Sequence, residues 1–207
     1  MSELPAPDDL PRIPDGAPML VVLSGVSGAG KDAVRDALMA WGLPVHFVVT
    51  ATNRAMRPGE VHGRDYIFVD DAEFERMVRD DELVEHAIVY GQRKGVPRVE
   101  VMRPFEAGDD VLARVDVQGA ETLRRLVPDA LLIFIAPPSL EELERRLRER
   151  GSESDDEVRT RMDEAAAEMK ASEAFDHVVV NETGDLAGTV RRVYELIAAE
   201  KAKRAAK

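Results

Sequence analysis

The sequence predicts an α/β protein in which helices flank a parallel sheet, and three features support this fold class. Continuous apolar runs such as Met19–Leu23 and Ala130–Ile135 are typical of strands that are buried on both faces. Segments with apolar residues at helical spacing follow several of these runs. A glycine-rich turn joins the first run to the first helical segment. Together these features predict strands that alternate with helices, which is the arrangement that builds a parallel sheet.

Composition and charge restrict the possible function classes. The chain has 207 residues, of which 44% are hydrophobic and 33% charged, so we expect one domain with small insertions. The formal net charge of -12 argues against non-specific binding to nucleic acid or to anionic membranes, because both need a basic surface. Any anionic ligand must then be held by a local group of arginines.

The absence of cysteine excludes disulfides, thiolate catalysis and zinc-thiolate sites. No apolar run has the length of a membrane span, and no basic segment followed by an apolar one opens the chain, so we expect a cytoplasmic protein. Residues 1–18 contain five prolines among acidic and small residues and are expected to be disordered. Residues 19–200 form the predicted domain, and 201–207 form a frayed, charged tail.

The turn after the first apolar run has the spacing of a phosphate-binding loop. It reads Gly25-Val26-Ser27-Gly28-Ala29-Gly30-Lys31. Glycines let backbone N–H groups converge on a polyphosphate, and the following helix presents its positive N-terminus to the same anion. Lys31 supplies a mobile cation for the β- and γ-phosphates. The residues predicted for the buried face of this helix are Ala33, Val34, Ala37, Leu38 and Trp41.

Asp32 follows this lysine, at a position where the loop pattern normally has Ser or Thr to hold magnesium. A carboxylate can also bind Mg²⁺, but it adds a negative charge near other negative charges. Asp32 is the candidate metal ligand, and the residues alone leave its role open.

Between the next two predicted strands, at 45–51 and 66–69, lies a loop that is too charged for a core. It contains Arg54, Arg57 and Arg64. Arginine is the preferred partner of phosphate, because its planar fork makes two parallel charge-assisted hydrogen bonds. A solvated surface loop is the plainer interpretation of the same residues.

With this loop the sequence resembles the guanylate kinase family. The pattern Thr-x-Arg-x-x-Arg-Pro-Gly-Glu-x-x-Gly-x-Asp-Tyr occupies 52–66, and later landmarks follow in the family's order at 115–119, 135–139, 146–151 and 179–181. The resemblance extends from about Leu20 to Ile197. It implies a P-loop NTPase-type parallel sheet with core segments 19–50, 110–145 and 174–200. It also implies an inserted α+β region for GMP at 51–98 and a helical lid at about 146–165.

The resemblance further implies a donor site for ATP and an acceptor site for GMP. The residues that it implies for ATP are Gly25, Ser27, Gly28, Ala29, Gly30, Lys31, Asp32 and Asn181. The residues that it implies for GMP are Thr50, Arg54, Arg57, Glu60, Tyr66, Glu85, Lys94 and Asp116. Glu85 would accept hydrogen bonds from N1–H and the amino group of guanine, whereas adenine has no hydrogen on N1. A solvent-facing place on a half-exposed strand is the alternative for Glu85.

Four further strands are predicted from apolar runs. They cover Leu83–Tyr90, 110–116, Ala130–Ile135 and His177–Asn181. A carboxylate at the end of the second of these strands, Asp116, could orient magnesium-bound water or contact the acceptor nucleotide. Arg114 interrupts the same apolar run, where the family often has a second acidic residue.

Capping signals and apolar spacing predict the remaining helices. Asp70 with Glu73 and Ser139 with Glu142 form capping boxes, and Pro97 can open a helix at its first turn. The side chains predicted to face inward from these helices and from the C-terminal helix are Phe74, Met77, Val78, Val101, Met102, Phe105, Leu140, Leu143, Leu147, Leu186, Val190, Val193 and Ile197.

The segment Gly91–Pro97 departs from the family pattern. Aligned without a gap, Lys94 replaces a phosphate-contacting tyrosine, and Val96 replaces a common hydroxyl residue. A lysine could neutralise the acceptor phosphate as a point charge, but a valine donates no hydrogen bond. Tyr90 is the alternative phosphate contact if the register differs.

Arginines crowd the end of the helix that starts near Ser139. Positive charges at a helix C-terminus complement the helix dipole, which explains part of this cluster. A polar stretch at 151–156 and a long helix with Arg161 follow. By resemblance, Arg146, Arg150 and Arg161 close over the triphosphate and, with Lys31, form the catalytic set that spreads the charge of the transferring phosphoryl group.

We therefore predict transfer of the γ-phosphoryl group from ATP to GMP, giving ADP and GDP, with Mg²⁺ required. ATP and GMP are the expected partners, without nucleic acid or membrane. The acceptor phosphate has a second pKa near 6, so its oxygen is already anionic and needs no general base.

Two alternatives stand beside this prediction. Gly30-Lys31-Asp32 also fits a ribose 1,5-bisphosphate kinase of phosphonate metabolism, although such enzymes lack the Arg-Pro-Gly-Glu landmark that this chain has. The altered segment Gly91–Pro97 keeps open a non-catalytic guanylate-kinase-like interaction module. Such modules have usually lost the loop lysine and the lid arginines, which this chain keeps.

Overall fold

The computed structural model describes residues 5–89, 91–149 and 155–206, so the predictions for Tyr90, Arg150 and 151–154 lie outside the described residues. The strands are β1 (Leu20–Gly25), β2 (His46–Phe47), β3 (Ala51–Thr52), β4 (Ile67–Phe68), β5 (Leu83–Val89), β6 (Gln92–Pro97), β7 (Val111–Arg114), β8 (Leu131–Ala136) and β9 (His177–Val180). The helices are α1 (Lys31–Ala40), α2 (Asp71–Arg79), α3 (Arg98–Glu106), α4 (Val117–Leu126), α5 (Leu140–Glu149), α6 (Asp155–Ala171) and α7 (Leu186–Ala205).

The strands form two sheets, which confirms the predicted α/β class. The five-stranded sheet has the order β2-β7-β1-β8-β9, with parallel pairing of β2 with β7 and of β8 with β9. The four-stranded sheet has the order β4-β3-β6-β5. In it β3 pairs parallel with β4, and β6 pairs antiparallel with both β3 and β5. All strands of this mixed sheet come from residues within the predicted insertion at 51–98.

The chain divides into two compact units, each with its own buried residues. The first unit comprises Met1–Ala17, Leu23–Pro44 and Leu131–Lys207, and the second comprises Pro18–Val22 and Val45–Ala130. In the first unit every residue of β8 is buried. Phe134 of β8 packs edge to face against Phe175, with 5.1 Å between the ring centroids.

The second unit has a smaller apolar cluster under the mixed sheet. It consists of Ala51, Phe74, Met77 and Leu83, with Ile67 and Val69 packed against it. Gly95 of β6 lies against this cluster, because a Cβ added there would stand 2.6 Å from Cδ1 of Leu83. The crossing of β6 over the cluster therefore depends on a residue without a side chain.

The predicted strand at Val45–Ala51 is two strands in different sheets. β2 pairs with β7, and Val48 still donates from its backbone N–H to the carbonyl of Leu112 at 2.9 Å. The chain then joins the mixed sheet, in which β3 pairs with β4 and β6. Hydrophobicity alone could not reveal the break, because Val48 and Ala51 are both buried on either side of it.

The predicted helix starts are largely confirmed. Asp70 accepts a hydrogen bond from the backbone N–H of Glu73 at 2.8 Å, and the Ser139 hydroxyl accepts one from Glu142 at 3.2 Å. Pro97 is the residue before α3 and not the first residue of that helix. Its position differs from the prediction by one residue.

Of the residues predicted for the core, Ala33, Phe105 and Leu186 are half-buried, and three others are exposed. Val78, Met102 and Leu140 have 36%, 41% and 38% of their surface exposed. Val78 and Met102 each follow a buried residue, Met77 and Val101, and one residue turns the side chain about 100° round a helix. Leu140 is the first residue of α5, at the end of its buried stripe.

Both ends of the described chain contact each other in the first unit. Residues 5–18 contain no helix or strand, but the Asp9 carboxylate pairs with Arg191 at 2.6 Å. Lys201 is 3% exposed and donates to the carbonyl of Ala17 at 2.8 Å. α7 thus continues to Ala205, where the sequence predicted a frayed tail from residue 201. Among the described residues, no helix combines the length and apolarity needed to cross a bilayer.

Candidate functional site

The phosphate-binding loop lies between β1 and α1, as predicted. Gly25, Gly28 and Gly30 have φ angles of 137°, 88° and 97°, in the region that disfavours side chains. A Cβ on Gly25 would collide with the backbone carbonyl of Ile135 in β8. The loop therefore packs directly against a neighbouring strand, and only glycine fits at its start.

Lys31 closes this loop from the start of α1. Its ammonium donates to the carbonyl of Gly25 and to that of Val26, the second at 3.0 Å. The loop is held further by the backbone N–H of Ala29, which donates to Val26 at 3.1 Å. An ammonium group on a long stem at the N-terminus of a helix is suited to a polyphosphate.

Asn181 connects the loop to the end of β9 and is 7% exposed. Its amide nitrogen donates to the carbonyl of Ala29 at 2.7 Å, and its amide oxygen accepts from the Thr189 hydroxyl at 3.1 Å. The sequence predicted Asn181 as an ATP residue, and the structure places its side chain on the loop backbone. Thr189 was not predicted, because it lies in α7 and contacts Asn181 of a different element.

Arg146 of α5 is bound to three acceptors near the same asparagine. It donates to the Glu142 carboxylate at 2.9 Å, to the backbone carbonyl of Asn181 at 2.9 Å and to the Thr183 hydroxyl at 3.1 Å. Glu142 also binds Arg145, and the hydrogen bonds from Arg145, Thr183 and Arg146 hold the pKa of Glu142 well below its usual range. The structure thus brings Arg146, a predicted catalytic residue, to Asn181, whose side chain binds the backbone of the phosphate loop.

α6 contacts the phosphate loop through two side chains. A guanidinium nitrogen of Arg161 lies 3.5 Å from the Ser27 hydroxyl oxygen, and the Glu168 carboxylate accepts from the backbone N–H of Ser27 at 3.1 Å. The structure therefore brings the predicted residue Arg161 to the loop. Glu168 was missed, since a glutamate on a polar helix carries no local signal.

Asp32 lies in the first turn of α1, next to Lys31, and is exposed. Among the described residues, no three acidic or histidine side chains are grouped as a metal site. Magnesium in kinases commonly takes only one or two carboxylates and completes its shell with phosphate oxygens and water. A single carboxylate beside the phosphate loop fits such an ion.

In the second unit, Arg54, Arg57 and Glu60 form one cluster. Arg54 makes a two-pronged ion pair with Glu60, with one N–O distance of 2.7 Å. The backbone N–H of Arg57 donates to the same carboxylate at 2.8 Å. The hydrogen bonds that Arg54 donates to Glu60 lower the pKa of Glu60 and raise the pKa of Arg54. The loop that looked like plain surface thus has a half-buried ion pair at its centre, whereas Arg57 is exposed.

Tyr66 is 8% exposed and lies between two guanidinium groups and a phenyl ring. The guanidinium carbons of Arg54 and Arg114 stand 4.8 and 4.9 Å from its ring centroid. Phe68 packs against the same ring at 5.7 Å. Arg114 was predicted only as an unexplained departure from the family pattern, and the structure places it in this cluster.

Thr50 is 4% exposed, and its hydroxyl oxygen has no hydrogen-bond partner within the described part of the chain. A buried hydroxyl without a partner costs free energy and points to a ligand or a water molecule. The backbone of Thr50 is fixed, since its carbonyl accepts from Ile67 at 3.0 Å. This observation supports the prediction that Thr50 contacts a ligand.

Glu85 of β5 is 9% exposed, so the alternative of a solvent-facing side chain is wrong. Burial and, to a lesser extent, the Asp116 charge raise its pKa to about 8, and the Lys94 charge opposes this shift. Gly119 at the start of α4 leaves room for this carboxyl, because a Cβ there would stand 3.0 Å from the Glu85 carboxyl carbon. The need for glycine at this position was not predicted.

Asp116 and β6 complete the second unit's candidate site. Asp116 caps α4 by accepting from the backbone N–H of Gly119 at 2.9 Å, and its charge acts on Glu85. Lys94 pairs with Ala87 across the strands and with Thr52. Val96 is fully buried, in register with Glu85, so it supplies the carboxylate with apolar surroundings and no hydrogen bond.

The structure therefore gathers the predicted residues into two groups. One group surrounds the phosphate loop in the first unit and comprises Gly25–Lys31 with Arg146, Arg161 and Asn181. The other group, in the second unit, combines an arginine cluster with a buried carboxylate. The first group can bind a polyphosphate, and the second can bind an anion next to a hydrogen-bond donor such as a base edge.

Comparisons with known proteins find a matching family model and similar sequences. A family model described as guanylate kinase matches residues 17–200. Guanylate kinase 2, chloroplastic/mitochondrial, of Oryza sativa subsp. japonica is 46% identical over 194 residues, which cover 93% of this chain and 68% of the relative. A guanylate kinase of Novosphingobium aromaticivorans is 42% identical over 187 residues, covering 90% of this chain and 84% of the relative.

Solved structures show the same fold. The crystal structure of guanylate kinase from Anaplasma phagocytophilum matches with a TM-score of 0.75 and 34% identity, covering 90% of this chain and 88% of the other. The structure of TT1252 from Thermus thermophilus matches with a TM-score of 0.51 and 19% identity, covering 88% and 97% of the two chains, and shares the fold alone.

Proposed function

This chain belongs to the guanylate kinase family, and we propose that its two groups of residues divide the reaction into a donor half and an acceptor half. The reaction is transfer of a phosphoryl group from ATP to GMP. The alternatives, a ribose 1,5-bisphosphate kinase and a non-catalytic interaction module, are not favoured by these relatives.

The donor half is the phosphate loop with its surrounding side chains. Backbone N–H groups at the start of α1 and the Lys31 ammonium would bind the β- and γ-phosphates. Arg146 and Arg161 already lie against this loop through Asn181 and Ser27. In the transition state their guanidinium groups would take up the charge of the transferring phosphoryl group.

The acceptor half is the cluster around Tyr66 and Glu85. Arg54 and Arg57 would bind the phosphate of GMP, together with the Tyr66 hydroxyl and the buried Thr50 hydroxyl. Glu85 would accept from N1–H and the amino group of guanine. Its burial is the single observation that carries this proposal, because an unpaired carboxylate in an apolar setting is costly and favours the base that supplies two donors.

The chemistry follows from these positions. An oxygen of the acceptor phosphate attacks the γ-phosphorus while the bond from that phosphorus to the β,γ-bridging oxygen breaks, and ADP leaves. The attacking oxygen is ionised at neutral pH, so no proton has to be removed by a side chain. Asp32 would hold Mg²⁺ together with phosphate oxygens, and the bound ion would neutralise charge on the β- and γ-phosphates.

A substrate panel with purified protein tests this proposal. We expect ADP formation from ATP in the presence of GMP, and much slower formation with AMP or ribose 1,5-bisphosphate. Turnover of ribose 1,5-bisphosphate in preference to GMP would contradict the acceptor assignment. No turnover together with no heat of ATP binding by calorimetry would favour the interaction module.

A further inference from the structure

Arg114 at the end of β7 has no part in the reaction as proposed so far, yet it lies in the acceptor half. Its guanidinium carbon stands 4.9 Å from the ring centroid of Tyr66. This distance is within the range of about 6 Å in which a cation is attracted to an aromatic face. The simplest structural role for such an arginine would be to fill space at the end of the strand.

The Tyr66 ring has more than one cation against it, which a space-filling role does not require. Arg54 stands 4.8 Å from the same centroid, and Phe68 packs against the ring at 5.7 Å. Tyr66 is only 8% exposed, so these contacts are largely shielded from water. Cation–π attraction grows when the partners lose water, so both arginines restrict where the ring can lie.

The two guanidinium groups at the ring differ in their neighbours. Two guanidinium groups at one ring repel each other, but Glu60 neutralises Arg54 through a two-pronged ion pair. The backbone N–H of Arg57 donates to the same carboxylate. Burial lowers the pKa of Arg114 to about 10, so it is still charged at neutral pH.

We infer that Arg114 is a positioning residue for the acceptor phosphate, because its guanidinium holds the Tyr66 ring in place. The inference rests on the proposed acceptor half. It also explains how the chain manages without the tyrosine and the hydroxyl residue replaced by Lys94 and Val96. A second arginine on the remaining tyrosine restricts the position of its ring, which Lys94 and Val96 do not do.

The first test compares Arg114→Met with Arg114→Lys. Met keeps the length of the side chain without its charge, and Lys keeps the charge without the planar group. We expect Met to raise the KM for GMP by about 5- to 10-fold, the range of a shielded cation–π contact, and Lys to recover part of this loss. The kcat and the KM for ATP should change less than about 2-fold. Arg125→Met, at an exposed position of α4, is the matched control and should change neither KM.

The second test asks whether Arg114 acts through the ring. In a Tyr66→Leu background, Arg114→Met should change the KM for GMP less than about 2-fold, because the coupling partner is gone. In a Tyr66→Phe background, which keeps the ring, the effect of Arg114→Met should stay near its full size. An equal effect in the Leu and Phe backgrounds would overturn the inference.

The outcomes separate this inference from the proposed function. Normal GMP turnover with an unchanged KM for GMP in Arg114→Met would overturn the inference alone. Failure of the unsubstituted chain to phosphorylate GMP would overturn both. If Arg114→Met does not fold, calorimetry of GMP binding to Arg114→Lys decides, since binding equal to that of the unsubstituted chain would also overturn the inference.

Discussion

The side-chain amide of Asn181 donates to the backbone carbonyl of Ala29 at 2.7 Å and so fixes the phosphate loop from the end of β9. A Cβ on Gly30 would collide with the same amide nitrogen, so the contact also explains why glycine is needed there. Asn181 is therefore a support of the loop in addition to any contact with the adenine that the family resemblance implies.

We predict that Asn181→Asp raises the KM for ATP by about 10-fold or more. A carboxylate cannot donate to the Ala29 carbonyl, and losing a buried hydrogen bond costs about 1–3 kcal/mol. The KM for GMP should change little. Steady-state kinetics with each substrate varied in turn measures the effect, and Thr189→Val, which keeps the amide donor, should be milder. An unchanged KM for ATP in Asn181→Asp would contradict the supporting role.

Lys31→Ala should lower kcat by about 100-fold or more, because removal of one preorganised charge at the transferring group typically has this effect. The ammonium now bridges the carbonyls of Gly25 and Val26, so some loosening of the loop is also expected. Lys203→Ala, at an exposed position of α7, serves as the control. Circular dichroism should show an intact fold in both variants, and turnover by Lys31→Ala at the unsubstituted rate would refute the assignment.

The affinity for GMP should rise with pH between about 6 and 8. Glu85 must be ionised to accept two hydrogen bonds from guanine. Because burial raises its pKa to about 8, Glu85 is protonated in most of the ligand-free protein at pH 7. We expect kcat/KM for GMP to increase through this range, to bend near pH 8 and to level off above it, since this ratio reports groups of the free enzyme. The KM for ATP serves as the internal control. A profile that is flat above pH 6.5 would show that Glu85 is already ionised.

Glu85→Gln should change the pH dependence of stability. The pKa of Glu85 is about 8 in the fold against an ordinary value of 4.5, so folding favours the neutral form. The contribution of the protonated carboxyl to the free energy of unfolding is fully present below pH 4.5. It is lost as the pH rises towards 8, by at most about 1.4 kcal/mol per pH unit. Gln is neutral throughout, so the variant should become more stable than the unsubstituted chain as the pH rises, while losing its preference for GMP. Urea unfolding at pH 5, 7 and 9 measures the difference, and parallel curves would refute the raised pKa.

Gly119→Ala should weaken GMP binding without affecting ATP. The added Cβ would stand 2.9 Å from Cβ of Val115 and 3.0 Å from the Glu85 carboxyl, so the carboxyl must move. Overpacking of this kind typically costs about 1–3 kcal/mol, and the displaced carboxyl should raise the KM for GMP by about 10-fold. Thermal unfolding separates the stability loss from the kinetic effect. A KM for GMP that stays unchanged would mean that Glu85 does not depend on the space beside Gly119.

The parts of the site that depend on local spacing were the easiest to predict. The phosphate loop was correctly located because its glycines and Lys31 lie within seven consecutive residues. Glu168 contacts Ser27 from 141 positions along the chain, and Thr189 of α7 contacts Asn181, which follows β9. No spacing rule connects these residues with the loop. For the same reason Gly119 appeared only as part of a motif, although it leaves the space that Glu85 occupies.

The fold was predictable to a similar depth. Apolar runs located β1 and β8 well, since burial on both faces leaves a continuous signal. The short strands β2 and β3 were merged, because a change of sheet leaves no mark in hydrophobicity when the residues at the break, such as Val48 and Ala51, are buried. Arg114 is the opposite case. Its charge within an apolar run was visible in the sequence, but its explanation needs the position of Tyr66, 48 residues earlier in the chain.

The residues proposed for the acceptor half all come from one uninterrupted stretch of sequence, Thr50 to Asp116, whereas those proposed for the donor half come from both sides of it. A single exchange of genetic material covering this stretch would therefore replace every residue proposed to select the nucleotide and leave those proposed for ATP unchanged. Homologous chains could in this way change their acceptor substrate by exchanging one segment, while the residues proposed to bind the triphosphate stay the same.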